Sequence, residues 1–531
     1  MTFTHWFIFF LVVQVIHGLG TWRLYIKAGR QAWEAFIPVY NAVILMKIIN
    51  RPWWWTLLLF VPIVNLIMFP VVWVETARSF GKNSGLDTLF AVLTLGLYIY
   101  YINYALDVTY IIDRSLRPKT GVGDWVSSIL FAIVAATIVH TYFIQPFTIP
   151  SSSLEKSLLV GDFLFVSKIH YGARIPMTTV AAPMVHDTIP VIKIKSYLFD
   201  DNKGSNSWKN KFQLPYLRIP GFERIERNDI VVFNQPADTL LDMNDFHPDR
   251  NYYKPIDKKT NLVKRCVGIP GDSLEIRNGH VFINGKENPL PDRARLQFSY
   301  TIEFKGQFTS NEQVYELLRR YDITDGIGYD SDTKTYFVQA TEEAANRVKN
   351  HPNIASITLK KETKGAHNAA VFPQDPNFSW NTDFFGPIFI PKKGTTINLN
   401  LEVLPIYKRL ITEYEGHQMS VSGNQIFIDN QVSETYTFAQ DYYWMMGDNR
   451  NNSIDARFWG FVPFNHVVGK PVFIWMSWDT NGKGLGKIRW NRLFTTVSGQ
   501  GERVSYLIPF LIALIGFFGF RKWRKHKKVN A

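Results

Sequence analysis

The chain has 531 residues and a formal net charge of +13, a length that fits roughly two to four domains. Its mean hydropathy of −0.07 is too polar for a protein lying wholly within a membrane, and its aromatic share of 15% is high. We therefore expect a membrane anchor joined to a large water-facing part, with the basic charge at the membrane flanks rather than on a nucleic-acid surface. The single cysteine, Cys266, excludes an intrachain disulfide and a zinc site of several thiolates.

Apolar stretches predict five membrane-spanning helices. Each approaches the roughly 20 residues that cross a hydrocarbon core. The first has neither a basic start nor a small-x-small cleavage site, which favours a retained helix over a signal peptide. The predicted segments are 6–20, 53–74, 88–106, 125–144 and 504–520.

Loop charges predict the orientation of these segments. Lysines and arginines are concentrated in 21–52, in 107–124 and in the tail that follows residue 520. Because such loops are retained in the cytoplasm, residues 145–503 and the amino terminus are expected on the outer side.

The exported part reads as an antiparallel β domain. Runs rich in β-branched and aromatic residues, such as DFLFVSK and DIVVFNQP, end at Gly, Pro or Asn-Gly, which is typical of strands and tight turns. We expect a mainly-β domain made of 146–298 and 363–503.

A different pattern occupies 299–362. It reads strand, helix, strand, strand, helix, strand, the order of a ferredoxin-like α+β unit. We find no polar group of residues there that suggests chemistry, so we expect an inserted module that serves stability or a partner. The remaining predicted regions are 1–124 with three spanning helices, 125–145 as the helix that leads into the serine cluster, and 504–531 as a last helix with a basic cytoplasmic tail.

Three exported stretches carry candidate chemistry. Ser151, Ser152 and Ser153 follow shortly after the fourth predicted membrane segment, beyond Pro146 and Pro150, so that hydroxyls are expected at the bilayer surface. Lys264 lies in the strand-like run LVKRCVGIPGD, and the loop GDNRNNSIDARFWGFVP begins at residue 447.

Together these stretches resemble bacterial signal peptidase I, which has motifs close to IPSxSMxPTLxxGD, GDIVVF, KRxVGxPGD and GDNRxNSxDSRxWGxVP. The matching blocks here are IPSSSLEKSLLVGD (149–162), NDIVVF (228–233), KRCVGIPGD (264–272) and GDNRNNSIDARFWGFVP (447–463). Four blocks in the right order after an apolar helix make a specific match. It covers roughly 146–285 and 440–480.

The resemblance implies that Ser153 is the nucleophile and Lys264 the general base. It also implies an oxyanion hole made by the backbone N–H of Ser153 and the hydroxyl of Ser151. The chemistry agrees, because a serine hydroxyl is a weak nucleophile until a base takes its proton. Arg265 cannot be that base, since a guanidinium does not deprotonate in proteins. Lys264 can, if burial among apolar neighbours lowers its pKa.

The resemblance further implies that Ser453 orients Lys264 by a hydrogen bond. Asp455 and Arg457 would brace the same loop as an ion pair. Two shallow pockets that accept only small side chains would be lined by Phe147, Ile149, Leu154, Leu158, Val232 and Val263.

The implied protein is a serine endopeptidase bound to the bacterial cytoplasmic (inner) membrane. Its multi-pass anchor would hold the catalytic domain on the outer, periplasmic face. There it would remove N-terminal signal peptides from exported preproteins. Its partners would be these preproteins and membrane lipid; we expect no nucleic acid, no metal and no cofactor.

Two alternatives stay open. Leu154 and Lys156 replace the family's usual Met and Pro, and Lys156 creates an S-x-x-K motif with Ser153. That motif is the signature of penicillin-binding enzymes, and KTG occurs at 119–121, although it precedes the serine. The second alternative is a membrane scaffold that keeps the fold without activity.

Overall fold

The computed structural model describes residues 2–529 except 119, 246, 248, 307–309, 481 and 483, so Lys119 of the KTG sequence lies outside the described residues. The chain divides into two compact units. The first contains Met1–Phe143, Ala173–Ile219 and Asp238–Thr260, and the second contains Ile144–Gly172, Pro220–Ala237 and Asn261–Ala531. This division differs from the sequence-based one, which assigns 173–219 and 238–260 to the β domain.

The α-helices of the described residues are mostly short, and seven of them precede the first strand. They are α1 (Phe3–Lys27), α2 (Tyr40–Ile48), α3 (Trp55–Leu58), α4 (Asn65–Ser79), α5 (Gly85–Leu93), α6 (Tyr98–Tyr104), α7 (Gly121–Ile138), α8 (Asn311–Arg320), α9 (Glu342–Lys349), α10 (Leu404–Arg409), α11 (Ala456–Trp459) and α12 (Leu507–Val529).

The strands all follow α7. They are β1 (Ile144–Thr148), β2 (Asp162–Ser167), β3 (Ile230–Asn234), β4 (Asn261–Gly268), β5 (Ser273–Arg277), β6 (His280–Ile283), β7 (Lys286–Glu287), β8 (Phe298–Phe304), β9 (Asp325–Asp330), β10 (Thr335–Ala340), β11 (Ile354–Leu359), β12 (Phe385–Phe389), β13 (Thr396–Asn398), β14 (Met419–Ser422), β15 (Gln425–Ile428), β16 (Gln431–Val432), β17 (Thr435–Thr437), β18 (Tyr442–Met446), β19 (Val462–Pro463), β20 (Val467–Ser477) and β21 (Thr495–Thr496).

Fewer helices than predicted have the length and composition of a membrane span. Among the described residues these are Phe3–Lys27 and Gly121–Phe143, the latter being α7 with the π-helical turn that extends it. A third span results only if α5 and α6, which are bent by 116° at their junction, are counted together. The predicted segment 504–520 lies mostly within α12, which continues into a basic end.

Local backbone explains the two broken segments. Within 53–74 the helix ends after Leu58 and resumes at Asn65, because Pro62 has no N–H to donate and Ile63 adopts a φ of 70°. Within 88–106 the break follows Leu93, where Leu95 and Gly96 have φ values of 51° and 85°. A Cβ at Gly96 would lie 2.6 Å from the Trp73 ring, so the turn requires glycine. Segments predicted as continuous spans are therefore interrupted.

The second unit is built on antiparallel sheets, as the sequence predicts. The largest has the strand order β1-β2-β20-β3-β4-β18-β19, with β21 beside β20. Every side chain of β3 is buried, and so are the last five of β4. The central position of β4, between β3 and β18, places Lys264 within the sheet opposite Val231.

Residues 298–359 form a smaller sheet of their own. In chain order the elements are β8, α8, β9, β10, α9 and β11, and the sheet order is β11-β8-β10-β9. The helices close one apolar core with the sheet, which includes Ile302, Val314, Leu318, Val338 and Val348. The segment therefore has a core separate from that of the largest sheet.

Candidate active site

Ser153 lies on a tight loop that joins β1 to β2. After β1, Ser151 is extended and exposed, and a 3-10 turn then covers Ser152–Leu154. The loop is closed at its base, where the N–H of Ile149 donates to Asp162 O and the N–H of Gly161 donates to Ile149 O, both at 2.9 Å. We call residues 151–158 the serine loop. Its closed base fixes where the Ser153 hydroxyl points.

Lys264 meets Ser153 from β4 of the same sheet. Its Nζ donates a hydrogen bond of 2.6 Å to Ser153 Oγ, and the lysine is only 4% exposed. Burial lowers the pKa of Lys264 to about 8, although nearby Asp455 acts in the opposite direction. A substantial fraction of the amine is therefore neutral near neutral pH, as a general base needs to be.

Asp455 and Arg457 form the buried ion pair that the resemblance implies. Arg457 donates from Nε to Asp455 Oδ1 and from NH2 to Oδ2, both at 2.9 Å. The backbone N–H of Gly447 also donates to Asp455 Oδ2, at 2.9 Å. Burial alone would raise the pKa of Asp455, but Arg457 holds it below its usual range. The pair therefore fixes both ends of the loop that begins at Gly447.

Gly447 lies where this loop approaches the serine. A Cβ there would be 2.3 Å from Ser453 Oγ and 2.5 Å from the Ser153 carbonyl oxygen. Real Cβ atoms do not come so close to other atoms, so the approach requires the absence of a side chain. Gly447 thus sets the distance between the serine loop and the Asp455 loop.

Two predicted site residues, Ser453 and Ser151, are not seen in their predicted hydrogen bonds among the described residues. Among the described residues Ser453 Oγ has no hydrogen-bond partner, so the expected bond to Lys264 is not formed. The reason is its direction, because this hydroxyl faces Gly447. Ser151 is exposed on the approach to the serine loop, and its place in an oxyanion hole stays a prediction.

The predicted pocket residues come together in one apolar cluster around the serine loop. Four are buried within it, and Phe147 and Val263 are partly exposed. The buried four are Ile149, Leu154, Leu158 and Val232.

Sequence reasoning missed a second buried ion pair below the serine loop. Arg265 donates from Nε and NH2 to Asp448, at 2.8 and 2.6 Å. Asp448 also accepts from the Ser157 hydroxyl, which ties the serine loop to the loop after β18. The available signal was the charge of the two residues, because Arg265 lies within the mostly apolar strand β4 and Asp448 follows the apolar strand β18 after one glycine.

Lys156 is held by two residues of the 299–362 segment. Its side chain is 11% exposed and donates to Asp322 Oδ1 at 2.7 Å and to Thr324 Oγ1 at 2.8 Å. The preceding residue, Glu155, is buried too, and that burial raises its pKa to about 7. The 299–362 segment therefore contacts the serine loop at Lys156.

Two family models match the chain. The model described as signal peptidase, peptidase S26, matches residues 122–327 and 392–478, which is more than half of the chain. A family of unknown function (DUF5684) matches residues 33–113. The second match covers much of the amino-terminal helical region and assigns it no role.

Curated bacterial proteins show the same relationship. The chain is 24% identical over 372 residues to signal peptidase I of Buchnera aphidicola subsp. Acyrthosiphon pisum, which covers 70% of this chain and 80% of that protein. It is 24% identical to signal peptidase I of Helicobacter pylori strain 26695, over 70% of this chain and 92% of the relative. For signal peptidase I of Haemophilus influenzae the identity is 23%, with 72% and 78% covered. The chain is therefore a membrane-anchored member of the signal peptidase family, peptidase S26, and its function is that of a signal peptidase.

Proposed function

We propose that Ser153 and Lys264 form the catalytic dyad of a serine endopeptidase that cleaves signal peptides from preproteins. The observation that supports this most directly is the 2.6 Å hydrogen bond between Lys264 Nζ and Ser153 Oγ. A buried amine beside a hydroxyl is the arrangement that activates a serine without histidine.

The reaction follows from these two groups. Neutral Lys264 takes the hydroxyl proton as Ser153 Oγ attacks the carbonyl carbon of the scissile peptide bond. The resulting ammonium then gives that proton to the departing amine, which leaves an ester on Ser153. Water, deprotonated by Lys264, attacks the ester, and the proton returns to Ser153 Oγ as the acid product leaves.

The negative oxygen of the tetrahedral intermediate needs hydrogen-bond donors. We assign this role to the backbone N–H of Ser153 and the hydroxyl of Ser151. The extended backbone at Ser151, before the 3-10 turn, leaves its side chain exposed and free to turn toward a bound carbonyl. Ser453, Asp455 and Arg457 are assigned to holding the loop against Lys264.

Lys156 is the alternative base, as the S-x-x-K motif would require. The Lys156 amine is hydrogen-bonded to Asp322 and Thr324, whereas the Lys264 amine is hydrogen-bonded to Ser153 itself. The structure thus favours Lys264 over Lys156 and the signal peptidase reaction over a penicillin-binding one.

We further propose that the chain is multi-pass, with the catalytic domain on the periplasmic face and membrane lipid as a partner. The concentration of lysine and arginine in 21–52, 107–124 and the tail supports this orientation. Protease added to sealed spheroplasts should digest the β domain and spare an epitope at Ala531. Protection of the β domain would reverse the orientation.

We also propose that 299–362 is a ferredoxin-like insertion in the catalytic domain. The order of its elements and the sheet order β11-β8-β10-β9 support this description. Its own apolar core fits a module that folds as a unit within the longer chain.

Single-turnover cleavage of one preprotein by the purified full-length chain tests the dyad. Ser153→Ala should abolish cleavage, and Lys264→Ala should lower the rate by about 10²- to 10⁴-fold. Lys264→Arg should be equally inactive, because guanidinium gives up no proton. The matched control is Lys156→Ala, for which we expect a loss of no more than about fivefold, since an ion pair with an exposed carboxylate contributes about 1 kcal/mol or less. A dead Lys156→Ala beside an active Lys264→Ala would make Lys156 the base.

A further inference from the structure

A residue just before the 299–362 module is hydrogen-bonded to the loop that begins at Gly447. Just before β8, the N–H of Gln297 donates to Asp448 O at 2.9 Å, and the N–H of Arg450 donates to Gln297 O at 2.9 Å. Gln297 is fully buried. The chain therefore enters the module as a short strand paired with the loop that follows β18.

A second contact reaches the serine loop itself through two asparagines. Asn449 Nδ2 donates to Asp325 Oδ2 at 2.6 Å and to Ser152 O at 3.1 Å. Asn452 Nδ2 donates to the same Asp325 oxygen at 3.1 Å and to Ser152 Oγ at 3.0 Å. The backbone N–H of Asn449 donates to Ser153 O at 3.1 Å. Each amide thus bridges the first residue of β9 to the residue before the nucleophile.

The carboxylate of Asp325 determines which way these amides face. An ionised carboxylate only accepts hydrogen bonds, whereas an asparagine has one accepting and one donating end. Asp325 therefore selects the orientation in which both NH₂ groups point toward Ser152. A bond to an ionised acceptor is also stronger than a neutral one.

We propose that Asp325 is a positioning residue for Ser153, and that the module holds the serine loop in the geometry in which Lys264 can reach the hydroxyl. This rests on the proposed role of Ser153 as nucleophile. It replaces our expectation that the module carries no polar group relevant to chemistry.

Substrate binding is the competing role for the same module. With the serine loop it lines a cavity of about 990 Å³ that includes Lys156, Arg319 and Arg347. The two roles differ in what they change. Loss of positioning lowers kcat and leaves KM, because the reacting atoms are misplaced in the bound complex. Loss of a binding contact raises KM.

The test compares Asp325→Ala with Asp330→Ala in the full-length protein, using steady-state and single-turnover cleavage of one preprotein. Asp330 ends the same strand, and its carboxylate accepts from the backbone of Asp332 and Thr333 in its own turn. We expect Asp325→Ala to lower kcat by about ten- to a hundredfold with KM unchanged, since small misplacements of reacting groups cost this much. The pH at half-maximal rate should stay at the wild-type value, because the surroundings of Lys264 are untouched. Asp330→Ala should behave as wild type.

The conservative variant Asp325→Asn should recover part of the rate, because its amide oxygen still accepts one of the bonds. A wild-type kcat for Asp325→Ala would overturn the proposal, and so would a raised KM with unchanged kcat. An equal loss of kcat in Asp330→Ala would also overturn it, as it would indicate a general effect on the module. If Asp325→Ala does not fold, Asp325→Asn is measured on the same terms, and a wild-type kcat there overturns the proposal.

Failure of the dyad is recognised separately in the same assay. If Ser153→Ala and Lys264→Ala keep their activity, the proposed function itself is wrong. If both are inactive while Asp325→Ala is fully active, the dyad stands and only the positioning role is lost.

Discussion

Lys264 Nζ lies 2.6 Å from Ser153 Oγ although 111 positions separate the two residues in the sequence. The sheet brings them together, because β4 lies within it and the serine loop joins the first two strands of the same sheet, β1 and β2. Among the residues that the structure describes, no other side chain that we assign to the site is bonded to either of these two atoms. The two groups therefore depend on burial and on the geometry of the loops for their reactivity.

The first prediction concerns pH. Burial lowers the pKa of Lys264 to about 8, and only the neutral amine accepts a proton. The single-turnover rate should therefore be low at pH 6, rise through a midpoint near 8 and level off above it. A rate that does not change between pH 6 and 9 would contradict Lys264 as the base. The same profile measured with Lys156→Ala serves as the control and should keep the midpoint.

The second prediction concerns Gly447. Alanine there would put a Cβ 2.5 Å from the Ser153 carbonyl oxygen, so the serine loop must shift away. We expect Gly447→Ala to lower kcat by about a hundredfold or more, since a displacement near 1 Å costs that much. Gly423→Ala is a control for expression only, because Gly423 lies in an open turn with a φ of 59°. A fully active Gly447→Ala would contradict the tight approach.

These residues show how far the sequence could lead. The four sequence motifs predict which residues form the site, because each motif is a short continuous run whose residue types indicate its chemistry. The run LVKRCV also predicts the strand that buries Lys264. The hydrogen bond from Asn449 Nδ2 to Asp325, 124 positions apart, could not be predicted, because no local pattern relates the start of a strand in the module to an amide in a distant loop.

The membrane region shows a different limit. Hydropathy averages over some twenty residues, whereas a helix is broken by one residue such as Leu95, whose φ is 51°. Likewise, 173–219 belongs to the same compact unit as the amino-terminal helices, and Trp6 Nε1 donates to Gln213 O at 3.0 Å within it. Nothing local in either segment indicates the other.

The third prediction concerns specificity. Because Phe147 and Val263 are the partly exposed members of an otherwise buried cluster, a side chain beside Ser153 has little room. A preprotein with Ala at the first and third positions before the scissile bond should be cut, and Phe at the first position should slow the cleavage strongly. Overfilling a packed apolar site costs about 1–3 kcal/mol, which is roughly a five- to 150-fold loss. Equal rates for the two preproteins would contradict the pocket assignment, and a Phe placed well into the mature sequence provides the control.

The last prediction concerns Glu155, a buried carboxyl beside the serine. Burial raises its pKa from 4.5 to about 7, and Asp325 adds to this, while the Val160 N–H, Lys156 and Arg489 oppose it. Between these two pH values the folded protein keeps a proton that the unfolded chain has released. Glu155 therefore lowers the free energy of unfolding by an amount that is absent below pH 4.5, grows up to pH 7 and is complete above it. At 1.36 kcal/mol per pKa unit, it amounts to at most about 3 kcal/mol.

Glu155→Gln removes the charge and keeps an oxygen for the bond from the Val160 N–H. We therefore expect it to raise the free energy of unfolding at pH 8 and to leave it nearly unchanged at pH 5. Thermal unfolding of the full-length protein in detergent measures this difference. The matched control is Glu343→Gln, whose carboxylate is 64% exposed in its pair with Arg295 and should give no pH-dependent gain. If Glu155→Gln destabilised the protein equally at both pH values, Glu155 would act through its hydrogen bond and not through its charge.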